Sequence, residues 1–98
     1  MALVTVESIA RVIDHSLLNP ALTDAELEAG LELAKRYNTA SVCIKPYYVA
    51  RAAQVLRGSG VSTGTVIGFP HGGEATAVKV FEAVKSFQKV MGGLRRGW

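Results

Sequence analysis

The sequence predicts an α/β protein with a parallel sheet, and three observations lead to this fold class. Residues 13–20, 40–45 and 63–69 have the length and apolar content of strands, and a proline ends or follows each of them. Each is followed by a longer segment in which apolar residues recur at helical spacing. Strands that alternate with helices are joined by right-handed crossovers and are therefore parallel.

The first elements are a short helix over residues 4–12, which Thr5 is placed to cap, and the strand that follows it. Side chains of a strand point alternately to its two faces. Here one face receives Asp14, Ser16 and Leu18, and the other receives Ile13, His15 and Leu17. Pro20 has no amide hydrogen for a ladder, so we expect the strand to end there.

The second helix has the clearest start, because Thr23 and Glu26 form a capping box with hydrophobic-staple residues beside it. It is predicted to continue to about Tyr37 and to stop at Asn38. A strand over residues 40–45 follows, with Val42 and Ile44 on one face and Ser41, Cys43 and Lys45 on the other. A helix over 47–57, a strand over 63–69 and a long helix from about residue 74 or 75 to Met91 complete the order.

Length and composition fit one small globular domain: 98 residues, 49% hydrophobic and 19% charged. The net charge of +3 is uneven, since residues 1–78 carry six basic and seven acidic side chains and residues 79–98 carry five basic and one acidic. No aromatic platform or helix-turn-helix pattern accompanies the basic end. We therefore expect a solvated basic tail and no nucleic-acid partner.

The compartment is indicated by cysteine usage and hydropathy. Cys43 is the only cysteine, which excludes an internal disulfide and a multi-cysteine metal site. The amino terminus lacks a basic segment followed by a continuous apolar one, and no apolar run approaches the roughly 18 residues of a membrane span. These features predict a soluble cytoplasmic protein with no membrane partner.

The ends of the predicted strands carry the residues that could do chemistry, because sites in such folds lie beyond the carboxyl ends of the strands. Asp14 and Ser16 are suited to hold a substrate hydroxyl or a water, although Asp14 is equally suited to order its own loop. His15 lies on the apolar face, which favours a structural role. His71 follows the third strand and is either a ligand-facing or a solvated loop residue.

Covalent, anion-binding and metal chemistry have weaker support. Lys45 shares a face with Cys43 and could lower the pKa of the thiol or form a Schiff base, but a lone cysteine is more often apolar filling and a strand-end lysine more often reaches water. The glycine-rich residues 68–73 could cradle an anion, yet they lack the spacing of a phosphate-binding loop. Two histidines and one cysteine on separate loops predict no metal, and we expect no cofactor.

Three segments together resemble the amino-terminal part of deoxyribose-phosphate aldolase, a class I aldolase with a TIM-barrel fold. They read Ile-Asp-His-Ser-Leu-Leu-Asn-Pro over 13–20, Ala-Ser-Val-Cys-Ile-Lys-Pro over 40–46 and Thr-Val-Ile-Gly-Phe-Pro-His-Gly over 65–72. Lys79 and Glu82 extend the resemblance, which covers roughly residues 5 to 84. It implies an incomplete (β/α)8 barrel, with one amino-terminal helix and about three parallel strand-helix units, in a single partial domain over residues 1–98.

The resemblance also implies a reaction and a set of pocket residues. The family cleaves 2-deoxyribose 5-phosphate to glyceraldehyde 3-phosphate and acetaldehyde through a lysine Schiff base, without a metal. The positions that match its substrate pocket are Asp14, Ser16, Leu18, Cys43 and Phe69, with Asp14 and Ser16 near the sugar hydroxyl and Phe69 in the wall. The reactive lysine, the proton-relay aspartate and the phosphate-binding residues come later in the barrel, so we expect no catalytic residue in this chain.

The chain departs from the family pattern after Glu82-Ala83. Residues 85–98 are basic, free of acids and atypical of the family, as a shifted reading frame or a truncation would produce. We expect the chain alone to be inactive and its substrate to be a small phosphorylated sugar or aldehyde of the full-length family. The alternative is a non-catalytic α/β fragment that self-associates through open strand edges, as a homo-oligomer, or complements another chain.

Overall fold

A computed structural model describes residues 3–92, and its elements follow in the predicted order. The helices are α1 (Val6–Ala10), α2 (Asp24–Tyr37), α3 (Val49–Leu56) and α4 (Thr76–Gly92), with a 3-10 turn at Pro46–Tyr48 before α3. The strands are β1 (Asp14–Leu17), β2 (Ser41–Ile44) and β3 (Ser62–Thr65). Alternation of strands and helices, which predicted the fold class, is confirmed.

The three strands form one parallel sheet in the order β1-β2-β3. Its register places Asp14 opposite Ser41 and Ser41 opposite Ser62, and one step further Ser16 lies opposite Cys43. Within residues 3–92, β1 and β3 each pair on one side only. The sheet therefore has two open edges.

The core lies between one face of the sheet and helices α2 and α3. Leu27 and Leu31 of α2, Val42 and Ile44 of β2, and Val49 of α3 are all less than 2% exposed. The opposite face of the sheet carries polar and small side chains: Asp14, Ser16, Ser41, Cys43, Ser62 and Gly64, none of which is buried. The sheet thus has an apolar face under the helices and a polar face open to solvent.

Helix α2 begins where its capping box predicts. The Oγ1 atom of Thr23 accepts a hydrogen bond from the amide of Glu26 (3.2 Å), and the amide of Thr23 donates to Glu26 Oε1 (2.9 Å). Asn38 ends the helix in the left-handed conformation, with φ at 55°. Thr5 caps α1 as predicted, in a second capping box with Ser8, but α1 is shorter than residues 4–12.

Strand β3 differs from its predicted range of 63–69. Its partner β2 ends at Ile44, just before Pro46, so residues 66–69 have no neighbouring backbone with which to continue the ladder. The Oγ1 atom of Thr65, the last residue of β3, donates to the carbonyl of Ile44 (2.6 Å). Residues 66–69 form instead the start of the loop toward α4.

Helix α4 includes residues 85–92, so this part of the atypical segment is helical. Residues 93–98, the remainder of the predicted basic tail, lie outside the described residues. The side of α4 that faces the protein is largely polar: Lys79, Glu82, Ser86 and Lys89 are buried or half-buried, and Val90 packs against the core. No helix within residues 3–92 is long and apolar enough to cross a bilayer.

Candidate functional site

The carboxyl ends of the three strands surround a cleft of about 320 Å³, which we call the strand-end cleft. It is lined by Leu18, Pro20, Lys45, Pro46, Tyr47, Val66, Phe69, Pro70 and Glu82. Two of the five predicted site residues, Leu18 and Phe69, therefore meet although 51 positions separate them in sequence. The parallel order of the strands brings them together, because each follows the carboxyl end of its own strand.

The other three predicted residues lie on the open face of the sheet and do not line the cleft. Ser16 and Cys43 are paired across β1 and β2, and Asp14 lies two residues before Ser16 on the same face. Asp14 and Ser16 are exposed, whereas Cys43 is half-buried. The structure thus divides the predicted site into an apolar cleft at the strand ends and a polar patch on the open sheet face.

Ser41 fixes the carboxylate of that patch. Its Oγ atom donates a hydrogen bond of 2.7 Å to Oδ1 of Asp14, the residue that the register places directly opposite. Strand alternation had put Ser41 on the same face as Cys43, but its pairing with Asp14 depends on register, which the sequence alone did not reveal. The Asp14 carboxylate is therefore held in place through one oxygen and can accept a further hydrogen bond at the other.

Cys43 is a protonated thiol at neutral pH. Burial raises the pKa of its thiol, and the negative charge of Asp14 raises it further. Lys45, which was considered as a group that could lower this pKa, does not do so: the pKa is raised, and the ammonium of Lys45 donates to Pro20 and Tyr47 instead. Cys43 acts as a small, neutral part of the surface.

Lys45 lies in the strand-end cleft. Its Nζ atom donates to the carbonyl oxygen of Pro20 and to the hydroxyl of Tyr47, both at 3.3 Å, and lies 5.7 Å from the centre of the Tyr47 ring. These contacts keep the ammonium at the mouth of the cleft, where a lysine at a strand end was expected to reach water. The mainly apolar cleft thus has one cationic residue, Lys45, and one acidic residue, Glu82, whose carboxylate accepts from the Gly68 amide.

The glycine-rich loop over residues 68–73 is held by two side chains of α4. The amide of Gly68 donates to Oε1 of Glu82 (2.8 Å), and Nζ of Lys79 donates to the carbonyl of Gly72 (3.1 Å). Gly68 has a φ of +61°, which favours glycine, and a side chain there would also meet Glu74. The Gly68 amide therefore donates to a carboxylate of the protein itself. Lys79 and Glu82 in this way position the loop that carries Phe69.

The two histidines have different surroundings. His15 lies on the helix-facing side of β1 with Leu17, as strand alternation predicted, and its Nε2 atom is buried with no hydrogen-bond partner among the described residues. His71 is exposed in the loop after β3. Across residues 3–92, no three side chains of His, Cys, Asp or Glu come together as metal ligands would.

No family model matches the chain, but it is similar to proteins of known name. The chain is 54% identical over 80 residues to the deoxyribose-phosphate aldolase of Rhodopirellula baltica, a match that covers 82% of this chain and 33% of that protein. It is 44% identical over 82 residues to the deoxyribose-phosphate aldolase of Bacillus subtilis, covering 84% and 37%. The chain spans about a third of the length of the curated relatives it matches.

Solved structures give the same result for the fold. A Coccidioides immitis protein assigned as a deoxyribose-phosphate aldolase superposes with a TM-score of 0.83 at 39% identity, covering 91% of this chain and 35% of that one. The deoxyribose-phosphate aldolase of Aeropyrum pernix gives a TM-score of 0.80 at 28% identity, covering 87% and 36%. The three strand-helix units are thus a partial TIM barrel, as the resemblance implied.

Proposed function

We propose that this chain, which shares sequence and fold with the amino-terminal third of the deoxyribose-phosphate aldolases, supplies the substrate-positioning part of such an aldolase. The substrate is 2-deoxyribose 5-phosphate or a related small phosphorylated sugar or aldehyde. The covalent step belongs to residues beyond this part of the barrel. The observation that carries the proposal is the Asp14–Ser41 hydrogen bond, which holds a carboxylate on the polar sheet face beside Ser16.

The chemistry of the polar patch suits a sugar hydroxyl. A carboxylate oxygen accepts a hydrogen bond from such a hydroxyl, and the Ser16 hydroxyl can both donate and accept. Because Ser41 already donates to one oxygen of Asp14, the carboxylate is held in a fixed direction. The neutral thiol of Cys43 adds bulk beside Ser16 without competing for the hydroxyl.

The strand-end cleft suits the carbon skeleton of the same substrate. Leu18, Val66 and Phe69 offer apolar walls to its C–H edges, and Lys45 offers a cation to an oxygen or phosphate group at the mouth. In this proposal Lys45 binds and is not the Schiff-base residue. Without an activated lysine there is no electron sink for cleavage of the carbon–carbon bond, so the isolated chain is inactive.

Assembly and compartment follow the same family. The Aeropyrum pernix aldolase is described as a tetramer, and the open edges of β1 and β3 give this chain surfaces through which it could also associate. A lone cysteine with a protonated thiol fits the reducing cytoplasm.

A chimera tests the proposal. Residues 5–84 of this chain replace the matching amino-terminal segment of the Rhodopirellula baltica protein, and release of glyceraldehyde 3-phosphate from 2-deoxyribose 5-phosphate is measured. We expect an active chimera, in which Asp14→Asn lowers kcat/KM by about 10- to 100-fold, the size of a lost hydrogen bond to a charged group. Glu7→Gln, which makes the same charge change on α1, serves as the matched control and should have no effect.

Two outcomes would refute the proposal. One is a folded chimera without aldolase activity. The other is an active chimera in which Asp14→Asn and Ser16→Ala leave kcat/KM unchanged, since the polar patch would then take no part in substrate positioning.

A further inference from the structure

The loop between β3 and α4 contains a closed turn over residues 68–72. The amide of Gly72 donates to the carbonyl of Gly68, and both glycines have left-handed backbone angles, with φ at +69° and +61° respectively. Glycine reaches this region about as readily as the right-handed one, so steric exclusion alone does not fix the turn. The conformation of the turn therefore depends on the contacts that hold it.

Two side chains of α4 hold the turn, and the contact of Glu82 is the stronger. Its Oε1 atom accepts from the Gly68 amide at 2.8 Å in a partly buried position, where a hydrogen bond to a charged acceptor is strengthened by the low local dielectric. Nζ of Lys79 donates to the carbonyl of Gly72 at 3.1 Å, but this contact is exposed to water. Because the two side chains are three residues apart on one side of α4, the helix keeps both ends of the turn at a fixed separation.

Phe69 is the residue of this turn that lines the strand-end cleft. Its side chain is 56% exposed, so packing against the rest of the protein does not fix the ring. The direction of the backbone at Gly68, the preceding residue, then decides where the ring lies. Glu82 also lines the cleft, so the contact that holds the turn and the apolar wall lie at the same site.

We propose that Glu82 is a positioning residue that sets the affinity of the strand-end cleft for the substrate, by holding Phe69 in place as an apolar wall. This inference rests on the proposed function, in which Phe69 contacts the carbon skeleton of the substrate. Without Glu82 the turn samples other conformations, and substrate binding must then supply the free energy that orders it. The wall contacts the skeleton equally in the ground state and the transition state, so its loss raises KM and leaves kcat almost unchanged.

Steady-state kinetics of the chimera test the proposal. Glu82→Ala removes the acceptor and places a good helix former in α4. We expect it to raise KM for 2-deoxyribose 5-phosphate about 5- to 20-fold, the effect of losing part of the contact with one apolar side chain, with kcat changed less than about twofold. Glu82→Gln keeps an oxygen that can accept from the Gly68 amide and should restore most of the affinity. Glu32→Ala, the same change at an exposed position of α2, is the matched control and should leave KM and kcat unchanged.

A double variant shows whether Glu82 acts through Phe69. Phe69→Ala removes the wall itself, so the addition of Glu82→Ala should raise KM no further. Hydrogen–deuterium exchange of the peptide that covers residues 66–73 reports on the turn directly. Exchange should be faster in Glu82→Ala than in the unmodified chimera or in Glu82→Gln, because only Glu82→Ala leaves the Gly68 amide without its acceptor.

The inference is overturned if Glu82→Ala leaves KM or the exchange of residues 66–73 unchanged, if it lowers kcat as much as kcat/KM, or if its effect on KM adds fully to that of Phe69→Ala. Circular dichroism checks the fold, and Glu82→Met replaces Glu82→Ala if that variant fails to fold. An active chimera that responds to Asp14→Asn but not to Glu82→Ala contradicts this inference alone. A folded chimera without activity refutes the proposed function and, with it, the inference.

Discussion

Asp14 shows how one residue acquires a role from several levels of structure. Strand alternation places its side chain on the open sheet face, the register of β1 against β2 places Ser41 opposite it, and the resulting hydrogen bond fixes the carboxylate. Its charge then raises the pKa of the Cys43 thiol, in addition to the larger effect of burial. Carboxylate and thiol are therefore coupled on one face.

This coupling predicts the reactivity of Cys43. Iodoacetamide at pH 8 should alkylate Cys43 more slowly than free cysteine, because only the thiolate reacts and a raised pKa reduces its fraction. Asp14→Asn removes the neighbouring charge and should speed the reaction roughly two- to fivefold, the effect of up to about 1 kcal/mol of Coulomb energy near water. Glu7→Gln should leave the rate unchanged. An unaltered rate in Asp14→Asn would mean that the carboxylate does not act on the thiol.

The site residues were predictable from the sequence to different degrees. The alternation of side chains along a strand was enough to assign Asp14 and Ser16 to one face and His15 to the other. The contact of Ser41 with Asp14 was not predictable, because it requires the register between two strands that are 27 residues apart. The hydrogen bonds of Lys45 to Pro20 and Tyr47 were also unpredictable, since they depend on how the loops at the mouth of the cleft fold.

At the scale of the elements, local signals decided where prediction succeeded. Helix α2 starts at its capping box and ends at Asn38, because both ends are set by residues within one turn of them. Strand β3 was predicted too far along the chain, because its end is set by the length of β2 and not by its own apolar residues. The end of a strand that is set by a distant partner strand is not predictable from the residues near that end.

The capping box of α2 predicts a measurable loss of stability. Thr23→Ala should lower the free energy of unfolding at pH 7 by about 1 kcal/mol, because the amide of Glu26 loses its acceptor. Thr5→Ala, the same change at the short helix α1, is the matched comparison and should cost less, since α1 buries only Ala10. Urea unfolding followed by circular dichroism measures both. An equal or smaller loss in Thr23→Ala would contradict this view of α2.

The other half of that cap makes the stability depend on pH. The backbone amide of Thr23 donates to Glu26 and lowers the pKa of its carboxyl group, and the Thr23 side chain adds to the effect. A lowered pKa in the folded state means that the carboxylate stabilises the fold above the unfolded-state value, about 4.3 for glutamate. This contribution is lost as the pH falls through the folded-state pKa.

At the scale of the whole molecule, the three strand-helix units form a hydrophobic core between one face of the sheet and its helices. The other face and the edges of the sheet remain uncovered, as in an unfinished barrel. Within residues 3–92, nothing covers the polar sheet face or the outer edges of β1 and β3. A parallel sheet is normally covered on both faces. The polar face of this partial barrel is the surface that the proposed function offers to a substrate.

The central claim is that this part of the barrel positions the substrate while the covalent chemistry lies elsewhere. Borohydride reduction of the chimera in the presence of 2-deoxyribose 5-phosphate, followed by peptide mass spectrometry, tests it most directly. The account predicts a reduced adduct on a lysine contributed by the Rhodopirellula baltica segment and none on Lys45, with no adduct in the isolated 98-residue chain. An adduct on Lys45 accompanied by turnover would contradict it.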